Sequence, residues 1–418
     1  GEHWQIDRGE AVSGSAREPV LADEPGLRIT GSVPRASLSE VLDLRWAEPS
    51  KRRVSEWLTL IDLSVGEAEA LGYAFDRPHV RMVPGNEAWQ IDVDGPMVRG
   101  RLTVPFEFPG QVPMVLDMDR LHVGERVRAG GGEIDPRRLP SIRFDVRDLL
   151  FDRRRFGAVR AELTRGTQGL SLGRLDVHHA DFQATGRGGW IVDESGAQRC
   201  NVAIDATSTN VAGFLKAMGY APMLESNQGK GRADLSWPGG PDGSFYERLN
   251  GTIKLSLGQG RIPELDPGAG RVLGLMSLAH LPRRLALDFK DVTGEGLVFD
   301  SIGGDFSLKS GEAYTRNLTL RGSAAEIGVV GRTNLRTRQY DQTAVVTGDI
   351  GGTIGLAGVL AGGPAIGAAL LLFTQVFKEP LKGMTRAYYR ISGSWDQPNV
   401  ERIGAAQARE SREEPATQ

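Results

Sequence analysis

The chain has 418 residues, 40% apolar and 25% charged, with Gly 55, 7% aromatic content and a formal net charge of -3. That length allows two or three compact domains or one long unit with a substantial buried core. Lys+Arg 50 against Asp+Glu 53 leaves no basic field, which speaks against nucleic acid as a partner, and the lone Cys200 excludes an internal disulfide.

In chain order, the opening Gly1-Glu2-His3-Trp4-Gln5-Ile6-Asp7 lacks the basic start and apolar run of a secretion signal and already reads as strand. The chain therefore reads as a fragment whose upstream portion, including any anchor, lies outside it. Pro34 near a helix start, with apolar residues three and four apart, predicts a short helix over residues 33–42. Ala88-Trp89-Gln90-Ile91-Asp92-Val93 places apolar side chains at every second position, the mark of a strand with one greasy and one wet face. Gly130-Gly131-Gly132 frees the backbone to turn, so residues 1–130 read as a β-segment with one short helix.

Residues 131–240 read as a second such segment. Asp152-Arg153-Arg154-Arg155 reads as a hairpin tip. Gly169-Leu170-Ser171-Leu172-Gly173 matches the G-x-S-x-G pattern of serine hydrolases, but strand continues after it, where a nucleophile needs a sharp turn into a helix. Asp176-Val177-His178-His179-Ala180-Asp181 offers metal-ligating types. Alternation puts only two of them on each face, short of the three protein ligands a site needs, so they read as solvated strand residues. Gly186-Arg187-Gly188-Gly189 and Gly229-Lys230-Gly231 lack the helix or spacing of a phosphate loop and read as turns. Ser208-Thr209-Asn210 caps a predicted helix over residues 211–218, which Gly219 closes.

Pro238-Gly239-Gly240-Pro241 marks the next boundary, and residues 241–402 form the third segment. Alternation returns in Thr252-Ile253-Lys254-Leu255-Ser256-Leu257, in Asp305-Phe306-Ser307-Leu308-Lys309, in Asn317-Leu318-Thr319-Leu320 and in Glu326-Ile327-Gly328-Val329. Residues 268–285 read as a helix. Asp288, Asp291, Glu295, Asp300 and Asp305 are numerous enough for an acid/base pair, but they scatter over both faces, and Asp291, Glu295 and Asp305 read as turn and loop residues. Residues 350–377 carry no charge. Gly362-Gly363-Pro364 splits them, and the helical half over 364–377 would be about 20 Å long at ~1.5 Å per residue, short of a ~30 Å hydrocarbon core. Pro364, Leu370, Leu371, Leu372, Phe373, Val376 and Phe377 therefore read as a helix that caps the sheet or dips into a membrane interface. Residues 403–418 have too little apolar content to pack and read as a disordered tail.

Several spaced motifs occur in an order that resembles one family. Leu273-Gly274-Leu275-Met276-Ser277-Leu278, Arg283-Arg284-Leu285-Ala286-Leu287-Asp288-Phe289, Gly331-Arg332-Thr333-Asn334-Leu335-Arg336-Thr337-Arg338-Gln339-Tyr340-Asp341 and Tyr389-Arg390-Ile391-Ser392-Gly393-Ser394-Trp395-Asp396-Gln397-Pro398 are similar to the C-terminal AsmA-like region of the bacterial YhdP family. Asp135-Pro136-Arg137-Arg138-Leu139-Pro140 fits as well, and the resemblance covers nearly the whole chain up to about Val400. It implies a taco-shaped β-groove of the kind shared with TamB and other AsmA-like proteins, with phospholipid as cargo. It also implies a parent anchored in the inner membrane of a Gram-negative cell, reaching across the periplasm and supporting outer-membrane lipid homeostasis. The outer membrane or an outer-membrane protein is then the expected contact at the C-terminal end.

These readings converge on a mainly β fold with a few short helices: an elongated, twisted, mostly antiparallel sheet curled into an open hydrophobic groove. Phe299, Phe306, Leu308, Leu318, Leu320, Ile327 and Val329 are the candidate lipid-facing residues. Each buried methylene contributes about 0.8 kcal/mol, so an acyl chain is held without a polar site and slides between equivalent positions. Such transport calls for no catalytic residue, metal or cofactor. Two other classes stay open. A scaffold for outer-membrane protein assembly would receive a protein strand at a sheet edge, and a β-helix polysaccharide-active enzyme would need converging carboxylates.

Overall fold

The computed structural model describes residues 8–14, 19, 25–37, 56–70, 72–107, 110–124, 134–242, 244–263, 296–323, 325–348 and 385–403. The helix expected over residues 268–285, the apolar helix with Pro364, Leu370, Leu371, Leu372, Phe373, Val376 and Phe377, and the tail from residue 404 lie outside them. The chain divides into two compact units, Gly1–Ala180 with Thr185–Arg199, and Asp181–Ala184 with Cys200–Gln418.

The first unit is built from β1 (Arg8–Ser13), β2 (Gly26–Ser37), β3 (Leu58–Ala70), β4 (Tyr73–Asp76), β5 (His79–Pro84), β6 (Ala88–Asp94), β7 (Val98–Pro105), β8 (Met114–Val123), β9 (Ile142–Phe151), β10 (Arg154–Gly166) and β11 (Gly169–His178). β1 lies parallel to β2 and β2 to β3, while β3 takes β4 and β5 antiparallel. β5 to β8 form an antiparallel meander, β8 and β9 are parallel, and β9 to β11 are again antiparallel. The β9–β10 hairpin turns on Asp152 and Arg153, both at positive φ, so the basic run does sit at a tip. Hairpin punctuation accounts for the antiparallel pairs. The three parallel pairs follow connections of a dozen residues or more, long enough to bring the chain back in its starting direction.

Residues 33–37, expected to open a helix, are strand. Val33 pairs with Val65 and Ser37 with Glu69, so a long parallel ladder overrides a short helical signal. Among the described residues, pairing of β2 with β1 stops at Gly31, before Pro34, where a missing N–H is tolerated. The core centres on Val98, Met118 and Val146, with Phe75, Val93, Leu102, Leu116 and Phe144 packed against them.

β12 (Phe182–Val192) runs through Gly186-Arg187-Gly188-Gly189, so this segment is strand and not a turn. In the second unit β13 (Gln198–Ser208) leads into α1 (Val211–Ala217), where the Asn210 side chain accepts a hydrogen bond from the Gly213 N–H at 3.0 Å. Gly219, at φ +79°, follows the end of the helix. α1 buries Val211 and Leu215, and its Phe214 packs edge-on against Phe182 with centroids 5.1 Å apart. β14 (Glu225–Ser226), β17 (Gly260–Ile262) and β18 (Leu297–Phe299) make a small antiparallel sheet.

The larger sheet is an antiparallel run of β15 (Gly229–Pro238), β16 (Asn250–Leu257), β19 (Ser301–Lys309), β20 (Glu312–Arg321), β21 (Ala325–Asn334), β22 (Gln339–Gly348), β23 (Thr385–Ser394) and β24 (Pro398–Ile403). Gly229-Lys230-Gly231 opens β15 where a turn was expected, because each of its residues pairs with β16. Ile403, assigned to the tail from sequence, is the last residue of β24 and pairs with Tyr388. Asp305, expected in a turn, lies in β19 at a register shift, where its carboxylate accepts a hydrogen bond from Asn317 Nδ2 at 3.0 Å.

Candidate functional site

The register of the first unit lines up apolar side chains across strands, not only along them. Leu63, Val80, Val93, Gly100, Met118, Val146, Val159 and Val177 are successive cross-strand neighbours from β3 through β11, skipping β4. A second row, Ile61, Met82, Ile91, Leu102, Leu116, Phe144, Ala161 and Leu175, runs beside it. Directly opposed residues share a face, so the two rows form one apolar band crossing eight strands. Most of the second row is half-buried, whereas Met118, Val146, Val159 and Val177 of the first are buried. Gly100 sits at φ +143° on a register shift, where a Cβ would meet Asp117 O at 2.4 Å and Met118 Cα at 2.5 Å. The band is therefore without a side chain at that step.

The other face of the same strands carries an equally regular row of charge: Asp62, Arg81, Asp92, Arg101, Asp117, Asp145, Arg160 and Asp176. Arg81 reaches Asp62 at 3.1 Å, Arg101 reaches Asp92 at 2.6 Å and Arg160 reaches Asp145 at 3.1 Å. The like-charged step from Asp117 to Asp145 is relieved by Arg147, which contacts Asp117 at 3.4 Å and Asp119 at 2.6 Å. The hydrogen bond and charge of Asp92 raise the basicity of Arg101 further. In β9, burial pushes the Asp148 carboxyl up, but the His122 hydrogen bond and the Arg155 charge outweigh it and hold the group below the usual carboxylate range.

In the second unit, six of the sequence-predicted residues, Phe306, Leu308, Leu318, Leu320, Ile327 and Val329, lie on one face of the large sheet. Leu318 opposes Val329 and Leu320 opposes Ile327. Phe299 stands apart on β18 in the small sheet, over Gly260. All seven are at most 4% exposed. Alternation placed the six on one face, and all of them are buried. The half-buried band of the first unit was missed. Its signal was the repetition of the Ala88 to Val93 pattern in strands whose mutual register no single segment displays.

The reactive candidates do not converge. Ser171 lies on exposed strand in β11. Asp176 is bonded to Arg174, and Asp181 accepts from Asn210 Nδ2 at 2.8 Å. Among the described residues no three His, Cys, Asp or Glu side chains are placed to hold a metal ion. Cys200 is buried, and burial with the nearby Asp242 charge pushes its thiol up to about 12. One grouping escaped the sequence reading: Ser64 Oγ lies 3.3 Å from His79 Nδ1, and His79 Nε2 lies 3.1 Å from Asp62. The three sit on a solvated strand surface and Asp62 is shared with Arg81 at 3.1 Å, so they belong to the charged row and not to a nucleophile.

The fold and the face define a class: a two-faced β-protein whose distinguishing surface is hydrocarbon, with no assembled reaction centre among the described residues. The chain belongs to the YhdP protein family, whose profile matches residues 1–400. It is 27% identical over 380 residues to the intermembrane phospholipid transporter YhdP of Escherichia coli (strain K12), an alignment that covers 84% of this chain and 30% of that protein. The chain thus spans under a third of the length of this relative. No solved structure matches the chain.

Proposed function

We propose that this chain is a segment of an intermembrane phospholipid transporter of the bacterial envelope and that it holds acyl chains on the apolar faces of its sheets. The observation that carries the reading is the apolar band of the first unit, whose outer row is half-buried rather than closed to water. Seven inter-strand steps of about 4.8 Å give it roughly 34 Å, while one acyl tail occupies half of a ~30 Å bilayer core, or about three steps. More than one tail fits along it. Each step of travel exchanges one set of aliphatic neighbours for an equivalent set, so the energy along the path is nearly level while each methylene remains stabilised by about 0.8 kcal/mol. The similarity to a named phospholipid transporter supports the same cargo. A curled groove, with Phe299, Phe306, Leu308, Leu318, Leu320, Ile327 and Val329 as further lipid contacts, belongs to this proposal, as do a periplasmic location and an outer-membrane contact at the C-terminal end. No specific observation favours the scaffold alternative.

A photocrosslinking scan along β6 and β7 tests it. With a photoreactive residue at Ile91, Val93 or Leu102 and vesicles of phosphatidylethanolamine and phosphatidylglycerol, lipid adducts are expected, and at Gln90, Asp92 or Arg101 they are not. Equal labelling of both faces, or of neither, overturns the reading.

A further inference from the structure

The apolar face of the second unit carries a polar interruption. Phe306, Thr315, Gly331, Gln342 and Ile391 are successive cross-strand neighbours from β19 through β23, so Thr315 and Gln342 flank Gly331 in one row. Both side chains are 2% exposed. Among the described residues Thr315 Oγ1 and both Gln342 side-chain atoms, Oε1 and Nε2, find no hydrogen-bond partner. Gly331, at φ +130° with Asp341 O and Gln342 Cα 2.5 and 2.7 Å from any Cβ, puts no side chain between them. Buried polar groups are costly when unpaired, and Thr333 on the same face shows the usual remedy, accepting from Trp395 Nε1 at 2.9 Å and donating to Gln339 O at 3.2 Å. Among the described residues nothing of that kind serves Thr315 or Gln342.

The geometry points to Thr315 and Gln342 as a polar station for the oxygen-bearing part of a glycerolipid, set in an otherwise apolar row. This rests on the lipid-carrying reading above and deepens it. The Thr315 hydroxyl and Gln342 Nε2 donate to ester or phosphate oxygens, and Gln342 Oε1 accepts from a headgroup hydroxyl or ammonium. A lipid would then pause here with its head fixed and its tails on the flanking aliphatic residues.

The test uses the whole chain incubated overnight with vesicles, because Thr315 and Gln342 are closed to water and exchange is expected to be slow. Retained phosphatidylglycerol, diacylglycerol and a headgroup-free pyrene-labelled alkane are measured for the wild type and for T315V, Q342L and the double variant. Each replacement is apolar and close in shape, and T315V alone keeps the test open if Q342L disturbs folding. The expected result is a roughly tenfold drop in retained phosphatidylglycerol for the double variant, the loss of about two neutral hydrogen bonds, with alkane retention unchanged. A matching drop for diacylglycerol assigns the contact to the ester oxygens, and a drop for phosphatidylglycerol alone assigns it to the phosphate. An unchanged phosphatidylglycerol-to-alkane ratio means the pair holds only a buried water and overturns the station while sparing the lipid reading. A wild type that retains none of the probes overturns both.

Discussion

At the scale of single residues, the sharpest lesson lies in what each side chain is packed against. Met118 is 1% exposed between Val98 and Val146, and truncating it removes packing that neighbouring strands cannot collapse to replace. Met118→Ala should destabilise the fold by about 2–5 kcal/mol, read as a lower denaturant midpoint with an unchanged slope. Asp148 sets a pH dependence. Its carboxyl is held below the ordinary range, so its contribution is complete above the unfolded-state value and is lost as pH falls through the lower folded-state value. Asp148→Asn should flatten that acid-side loss in thermal melts between pH 7 and 3, and an unaltered profile would show that other carboxylates carry it. Cys200 is buried in β13, and its sequence neighbourhood carries no ligand set. The Asp148 environment was not legible in the sequence, since His122 and Arg155 come from other strands.

Among the elements, register decides more than propensity does. The charged row from Asp62 to Asp176 and the apolar band behind it enforce each other, because a slip of one residue would move arginine and aspartate onto the greasy face. The ion pairs are solvated, so each is worth little for stability. Arg101→Ala should cost less than about 1 kcal/mol, and exchanging the pair as Asp92→Arg with Arg101→Asp should recover most of it in a double-mutant cycle. A cost of several kcal/mol would instead mean that the row carries the fold energetically. α1 was legible in advance because its cap, Asn210, and its closing Gly219 are local signals. Residues 33–37 misled because the ladder that claims them lies in β3, more than twenty residues on.

For the whole molecule, the two units present the same chemistry in different states of access. Leu102 is half-buried on the band of the first unit, whereas Leu318 is fully buried in the second. Leu102→Glu should keep the strand signal in far-ultraviolet circular dichroism, at some cost in stability because Leu102 also packs against Val98, Met118 and Val146, while reducing lipid retention. Leu318→Glu should unfold its unit or cost about 4 kcal/mol or more, because an unpaired charge would be trapped out of water. If Leu102→Glu retains lipid at the wild-type level, the band is not the contact surface. The family resemblance was readable from spaced motifs, and the family profile over residues 1–400 establishes it. Which side chains form the band was not readable, since the rows run perpendicular to the chain.

By itself, the sequence determined that the protein is a mainly β chain with faces of opposite polarity, because alternation at every second position is a property of each strand alone. It also determined the family, through motifs that keep their order. Only the tertiary structure decided which strands lie side by side, parallel or antiparallel, and therefore which aliphatic residues join into a continuous band and where Thr315 and Gln342 meet. The physical reason is that hydrogen bonding between strands is non-local: each ladder fixes a register between residues tens of positions apart, and a face is the product of all those registers together.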